Sequence, residues 1–282
     1  MIRQPQLAGQ WYPNSTKAIN DQVLKWSDYI QSEPRPLGQA VAMVVPHAGW
    51  FFSGKLAART LARAQEGFND NPPKLVIVLG GHLGPRDPLI VYGEEAWRTP
   101  LGDLPLATSL NDQFAEFAPV LWSGPSNDNT IEVLLPLVKY YFPQASLWPV
   151  RVPPSPLAVK FGDQLAEFLS KSPDPTLVVA STDLTHYGQA YGFAPMGEGP
   201  LGDAFRLNND RAFIEAALSL DPERILVTGQ ENRGSCSAGA VVVATRLALQ
   251  KGAKGQEVDS YASSDIMPGP QSVGYAGLEF VL

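Results

Sequence analysis

The sequence is short of the residue types that do most protein chemistry. Its 282 residues hold one cysteine and three histidines. A single thiol rules out an internal disulfide and fits a reducing compartment. No apolar run approaches the ~20 residues that a membrane helix needs, so no membrane span is expected. Residues 1–13, MIRQPQLAGQWYP, lack a basic stretch followed by an apolar one, so no secretion signal is expected and a cytoplasmic location is. Basic residues are outnumbered, 21 Lys+Arg against 28 Asp+Glu, for a formal charge of −7. That balance does not provide the basic surface of a nucleic-acid binder. Internal repeats and low-complexity segments are missing too, and nothing in the composition speaks to oligomeric state.

What is present is an ordinary globular composition, 44% hydrophobic and 17% charged. Short valine-rich runs at 39–45, 74–81, 88–93, 145–152 and 175–182 read as buried strands. Helical patterns lie at 53–68, 108–118, 130–142, 156–170, 202–219, 221–228 and 237–251, and the closing runs EVDSYASS and SVGYAGLEFVL read as strands. Ser53 is placed to cap the first of these helices, and Pro136 to kink or end a turn. Lys55, Arg59 and Arg63, four residues apart, read as a solvated basic face. Residues 192–203, GFAPMGEGPLGD, read as a long loop. Strands separated by helical lengths predict an α/β fold. It is one domain over residues 1–282, with a central, mostly parallel or mixed sheet carrying helices on both faces.

The scarce residues share a placement. His47 follows the strand ending at Val45, and His82 follows the strand ending at Leu79, after two glycines. Asp183 and His186, in STDLTHYG, follow the strand ending near Ser181. Cys236 precedes a helix starting near Ala238, where the helix N-terminus favours a thiolate. In open α/β sheets ligands gather beyond the carboxyl ends of the strands, so these loops are candidates for one crevice. Each residue also has an ordinary reading: a hydrogen-bonded structural histidine, an Asx-turn aspartate, a buried small thiol. Two imidazoles and a thiolate suit Fe(II), Zn(II) or copper, and three protein ligands leave positions open for substrate. His186 suits proton transfer, supported by Asp183. A metal-free alternative makes Cys236 a nucleophile activated by His186.

Several blocks resemble the Memo family, whose prokaryotic members are often labelled AmmeMemoRadiSam system protein B. They are RQPQLAGQWYP (3–13), PHAGWFFSG (46–54), GGHLGP (80–85), TPLGD (99–103), NTIEVLLP (129–136), STDLTHYG (181–188), the segment around Cys236, SSD (263–265) and VGYAGLEF (273–280). The resemblance implies a fold similar to that of class III extradiol (LigB-type) dioxygenases, non-heme iron enzymes. It implies that His47, His82 and Cys236 take the family's metal positions, Fe(II) first and Zn(II) or copper next. Asp183 and His186 then line the same pocket, which would take a small-molecule or peptide ligand. The implied function is an iron-dependent redox protein; a non-catalytic binding module on the same pocket is the other alternative. Two positions depart from the family pattern. Asp128-Asn129-Thr130 stands where Glu-His-Ser is common, replacing a titratable histidine by an amide, and Cys236-Ser237 stands for Cys-Gly.

Overall fold

The computed structural model describes residues 1–31, 38–126 and 128–282. Its strands in chain order are β1 (Ile2–Arg3), β2 (Ala40–Val45), β3 (Leu75–Gly80), β4 (Ile90–Tyr92), β5 (Ala96–Thr99) and β6 (Gly102–Pro105). They continue with β7 (Val120–Trp122), β8 (Ser146–Arg151), β9 (Thr176–Ser181), β10 (His186–Tyr187), β11 (Lys254–Ala262) and β12 (Ser272–Val281). Nine of them form one mixed sheet in the order β10-β12-β2-β9-β3-β8-β4-β7, with β11 paired to β12. The centre, β2-β9-β3-β8, is parallel, while β12 and β4 run antiparallel to their central neighbours. A small second sheet joins β1, β5 and β6.

Central strands buried on both faces read as continuous apolar runs, and side-chain alternation sends them to two cores. Met43, Val45, Val76, Val78, Leu177 and Val179 pack into one core with the helix Lys55–Phe68 and the helix Leu135–Tyr141. Ala42, Val44, Ile77, Leu79, Val178 and Ala180 pack into the other, against the helices Pro156–Ser170 and Ala238–Gln250. The expected α/β sheet with helices on both faces is therefore what forms. Among the described residues no helix is long and apolar enough to cross a membrane.

Local departures have local causes. Ser53 is not an N-cap: residues Trp50–Gly54 form a π-helical turn that runs straight into the helix Lys55–Phe68, and the Ser53 hydroxyl donates to the Ala48 carbonyl (3.1 Å). Such turns often mark functional positions. The basic face is not solvated. Arg59 is buried and ion-paired to Asp259, and Arg63 donates twice to Glu279 (2.6 and 3.1 Å), itself fully buried on β12. The β11–β12 hairpin brings these acids over a stripe that helical periodicity alone leaves facing water. Pro136 opens the helix Leu135–Tyr141 instead of breaking one, since an early helical position needs no N–H. The pattern at 108–118 gives one short helix, Ser109–Gln113, after which Phe114 and Phe117 turn inward onto Phe161. The loop expected to Asp203 ends at Pro200, where a helix begins. The helix Thr16–Lys25, capped by Ser15, and the strands of the small sheet are not among the elements expected from sequence. The strands of that small sheet are two to four residues long and carry no hydrophobic run.

Candidate metal centre

Parallel strands put their carboxyl ends on one edge, and β2, β3, β8 and β9 end there at Val45, Gly80, Arg151 and Ser181. The residues that follow carry the site. Gly81 has φ +111°, and a Cβ on it would meet the Arg151 side chain at 2.8 Å. A Cβ on Gly80 would run into Thr130. The paired glycines thus let the His82 loop turn closely over Arg151 and Thr130.

Three of the sequence-selected residues converge. One ligand atom each from His47, His82 and Cys236 lies within 4.8 Å of the other two. Cys236 Sγ is 3.2 Å from His47 Nε2, and the His47 and His82 rings meet edge-on with centroids 5.3 Å apart. Donors around one tetrahedral ion with two nitrogens and a sulfur sit about 3.5 Å apart, so the set fits a metal with small side-chain adjustment.

The hydrogen bonds around His47 decide which nitrogen is free. Its Nδ1 is 2.8 Å from Ser181 Oγ, and the Ser181 hydroxyl is committed as donor to the Thr130 carbonyl. Ser181 Oγ can then only accept, so Nδ1 carries the proton and Nε2 presents a bare lone pair toward Cys236. Burial, with His82 alongside, holds the His47 pKa down to about 3, keeping the ring neutral as a ligand must be. His82 is 42% exposed at the lip of the site. The Asp128 carboxylate accepts its backbone N–H at 3.1 Å.

Cys236 is received by the backbone N–H of Asp183 (3.3 Å) and the Thr182 hydroxyl (3.6 Å). The helix Ala238–Gln250 does begin two residues later. Its N-terminus does not yield a free thiolate, however. Burial first, and then the Asp183 charge, push the thiol up to about 12, overriding the nearby donors. Without a cation the sulfur stays protonated.

Asp183 is 4% exposed and makes no local Asx-turn. Its Oδ1 accepts the backbone N–H groups of His47 (2.7 Å) and Ala48 (3.2 Å), tying the β9 loop to the β2 loop. Burial pushes its pKa up to about 6 in spite of His186 and these two donors. His186 is lowered by burial, opposed by Asp183. Its Nε2 is buried with no hydrogen-bond partner among the described residues, and its ring packs on Tyr191 with centroids 5.1 Å apart.

A cleft of about 1020 Å³ opens above this group. His47, His82, Asn129, Asp183 and His186 line its polar end, and Trp11, Trp26, Phe51, Phe52, Tyr191 and Tyr275 line the rest. Cys236 does not line the cleft. It lines a separate pocket of about 140 Å³, and His186 and Tyr191 line both cavities. Asn129 donates its side-chain N–H to the His47 carbonyl at 3.1 Å.

Sequence reasoning missed the supporting shell of Ser181, Thr130 and Asp128, and the aromatic lining drawn from Trp11, Trp26, Tyr191 and Tyr275. All three shell residues sit inside or beside the blocks quoted above. A hydroxyl at the last position of a buried strand was the available signal for Ser181.

Known proteins match the chain over most of its length. The profile of the family described as "Memo-like protein" matches residues 3–279. A MEMO1 family protein of Thermococcus onnurineus is 30% identical over 212 residues, covering 69% of each chain. One from Caldivirga maquilingensis is 26% identical over 99% of both chains, and one from Nitrosopumilus maritimus 27% over 100% of both. Among solved structures, the uncharacterized protein JW3007 of Escherichia coli K12 superposes with a TM-score of 0.51 at 12% identity. That match covers 86% of this chain and 99% of the other, and at such identity it speaks to fold alone.

Proposed function

The chain belongs to the Memo-like family, and from that premise we propose that it is a metal-dependent redox protein whose ion is held by His47, His82 and Cys236. The observation that carries this reading is the convergence of three ligand atoms within 4.8 Å, one of them on an imidazole whose tautomer leaves Nε2 bare. Two imidazoles and a thiolate accommodate Fe(II), Zn(II) or copper, and the resemblance to the extradiol dioxygenases puts Fe(II) first. Such an ion would supply Lewis acidity and, if iron or copper, one-electron chemistry beside the cleft.

The protein's own residues do the rest. The aromatic walls take the apolar body of a small-molecule or peptide ligand and keep water from the polar end. His186, which lines the cleft and is kept toward its neutral form by burial, is the group placed to accept a proton from a ligand hydroxyl. Asp183 stabilises the imidazolium that results, and through the N–H groups of His47 and Ala48 it holds the first metal-bearing loop in register. A metal-free role for Cys236 as nucleophile is disfavoured by the burial that keeps the thiol protonated.

Anaerobic purification followed by metal analysis tests the reading. The wild-type chain is expected to hold about one metal ion, with His47→Ala and Cys236→Ala losing it. Unchanged metal content in both variants overturns it. Oxygen uptake with a panel of catechols then tests the redox assignment.

A further inference from the structure

Asp128 divides its two oxygens between two tasks. Oδ1 accepts from the backbone N–H of Thr130 (3.1 Å) and from the Thr130 hydroxyl, so it fixes its own segment. Oδ2 faces the metal-bearing loop: it accepts the backbone N–H of His82 (3.1 Å), lies 3.8 Å from His82 Nδ1, and is paired with Arg151 at 3.1 Å. The Asp128 side chain is only 5% exposed, whereas His82 is 42% exposed and its ring meets that of His47 edge-on. An exposed imidazole on a glycine-led loop has many orientations available. One buried carboxylate sits where it can select among them.

We propose that Asp128 is a positioning residue that holds His82 with Nδ1 toward the carboxylate and Nε2 toward His47 and Cys236. The proposal rests on the metal-site reading above. In the metal-bound protein a small ring rotation closes the 3.8 Å gap into an Nδ1–H···Oδ2 hydrogen bond. Both imidazoles then follow one plan, with Nδ1–H donated to the protein and Nε2 to the ion: His47 uses Ser181, His82 uses Asp128. Thr130 joins the two halves. Its carbonyl accepts from Ser181, and its hydroxyl donates to Asp128 while accepting the Gly81 N–H at 2.8 Å. Arg151 balances the charge of Asp128, so the carboxylate orients His82 without leaving an isolated anion beneath the site. A carboxylate behind a ligating histidine typically accounts for 10- to 100-fold in metal affinity.

The test uses zinc as the probe and the full chain. Asp128→Asn is expected to bind zinc 10- to 100-fold more weakly than wild type, with Asp128→Glu recovering most of the loss. Nitrogen-15 spectra of the zinc-loaded wild type are expected to show His82 protonated at Nδ1 and metal-bound at Nε2. Asp128→Asn should shift the His82 ring signals and spare those of His47. A wild-type His82 that binds zinc through Nδ1 overturns the proposal, with no variant required to fold. So does an Asp128→Asn chain with wild-type zinc affinity and unmoved His82 signals. A wild-type chain that binds no zinc overturns the metal-site reading itself, which separates the two failures.

Discussion

His47 Nδ1 lies 2.8 Å from Ser181 Oγ, on a strand neighbour 134 positions away in sequence. Because the Ser181 hydroxyl is committed to the Thr130 carbonyl, this one contact sets the tautomer of a buried ring. Ser181→Ala leaves a buried N–H and a buried carbonyl without partners. The expected cost is about 1–3 kcal/mol of stability, together with a 10- to 100-fold fall in metal affinity. Denaturant titration and a competitive zinc-chelator assay read the two effects. Affinity equal to wild type would show that the tautomer is set by something else.

Metal binding should release protons. With the Cys236 thiol pushed up to about 12 and His47 held down to about 3, the sulfur is the donor that must lose a proton near neutrality. Between pH 7 and 8.5, zinc affinity should rise about tenfold per pH unit, with about one proton released per ion. Calorimetry in two buffers of different ionisation enthalpy measures that count. An affinity flat across this range contradicts a thiol-to-thiolate step.

Asp183 makes a separate pH prediction for the metal-free chain. Its pKa in the fold, about 6, lies above its ordinary carboxylate value. The fold therefore favours the protonated form. That contribution is fully present below the ordinary value and is lost as pH rises through about 6. Across the window the loss is on the order of 3 kcal/mol. Asp183→Asn should lack this decline and be more stable than wild type at pH 8, while losing the proposed role beside His186. Denaturant melts of both chains at pH 4 and pH 8 decide it; parallel pH dependence would falsify the assignment.

The Arg63–Glu279 pair tests the hairpin that covers the helix Lys55–Phe68. Glu279 is fully buried, with Arg63 and Gln256 both donating to its Oε1. Removing one partner of a buried pair strands the other's charge. Arg63→Ala should therefore destabilise the chain by about 3–5 kcal/mol, and Arg63→Ala with Glu279→Gln by less than that. A surface-like change below about 0.5 kcal/mol would return Arg63 to the solvated face that its spacing suggests.

How much was legible beforehand differs by kind of residue. The strand carrying Val76–Leu79 is visible because a run buried on both sides has to be apolar throughout. His47, His82, Asp183 and Cys236 are visible because they are scarce and sit at element ends. The buried Arg59 and half-buried Arg63 are not, since helical spacing shows that residues share a face but not what will be laid over it.

The sequence by itself determined the alternation of strands and helices, and it placed the three candidate ligands just beyond or before those elements. Their chemistry was legible from residue type. Only the tertiary structure decided which side-chain atoms meet. It set the His47 tautomer through a hydroxyl on β9, raised the Cys236 thiol by burial against the pull of a helix N-terminus, and put Asp128 behind His82. The reason is that a hydrogen bond or a desolvation penalty depends on neighbours brought in from distant parts of the chain, and local periodicity carries no record of them.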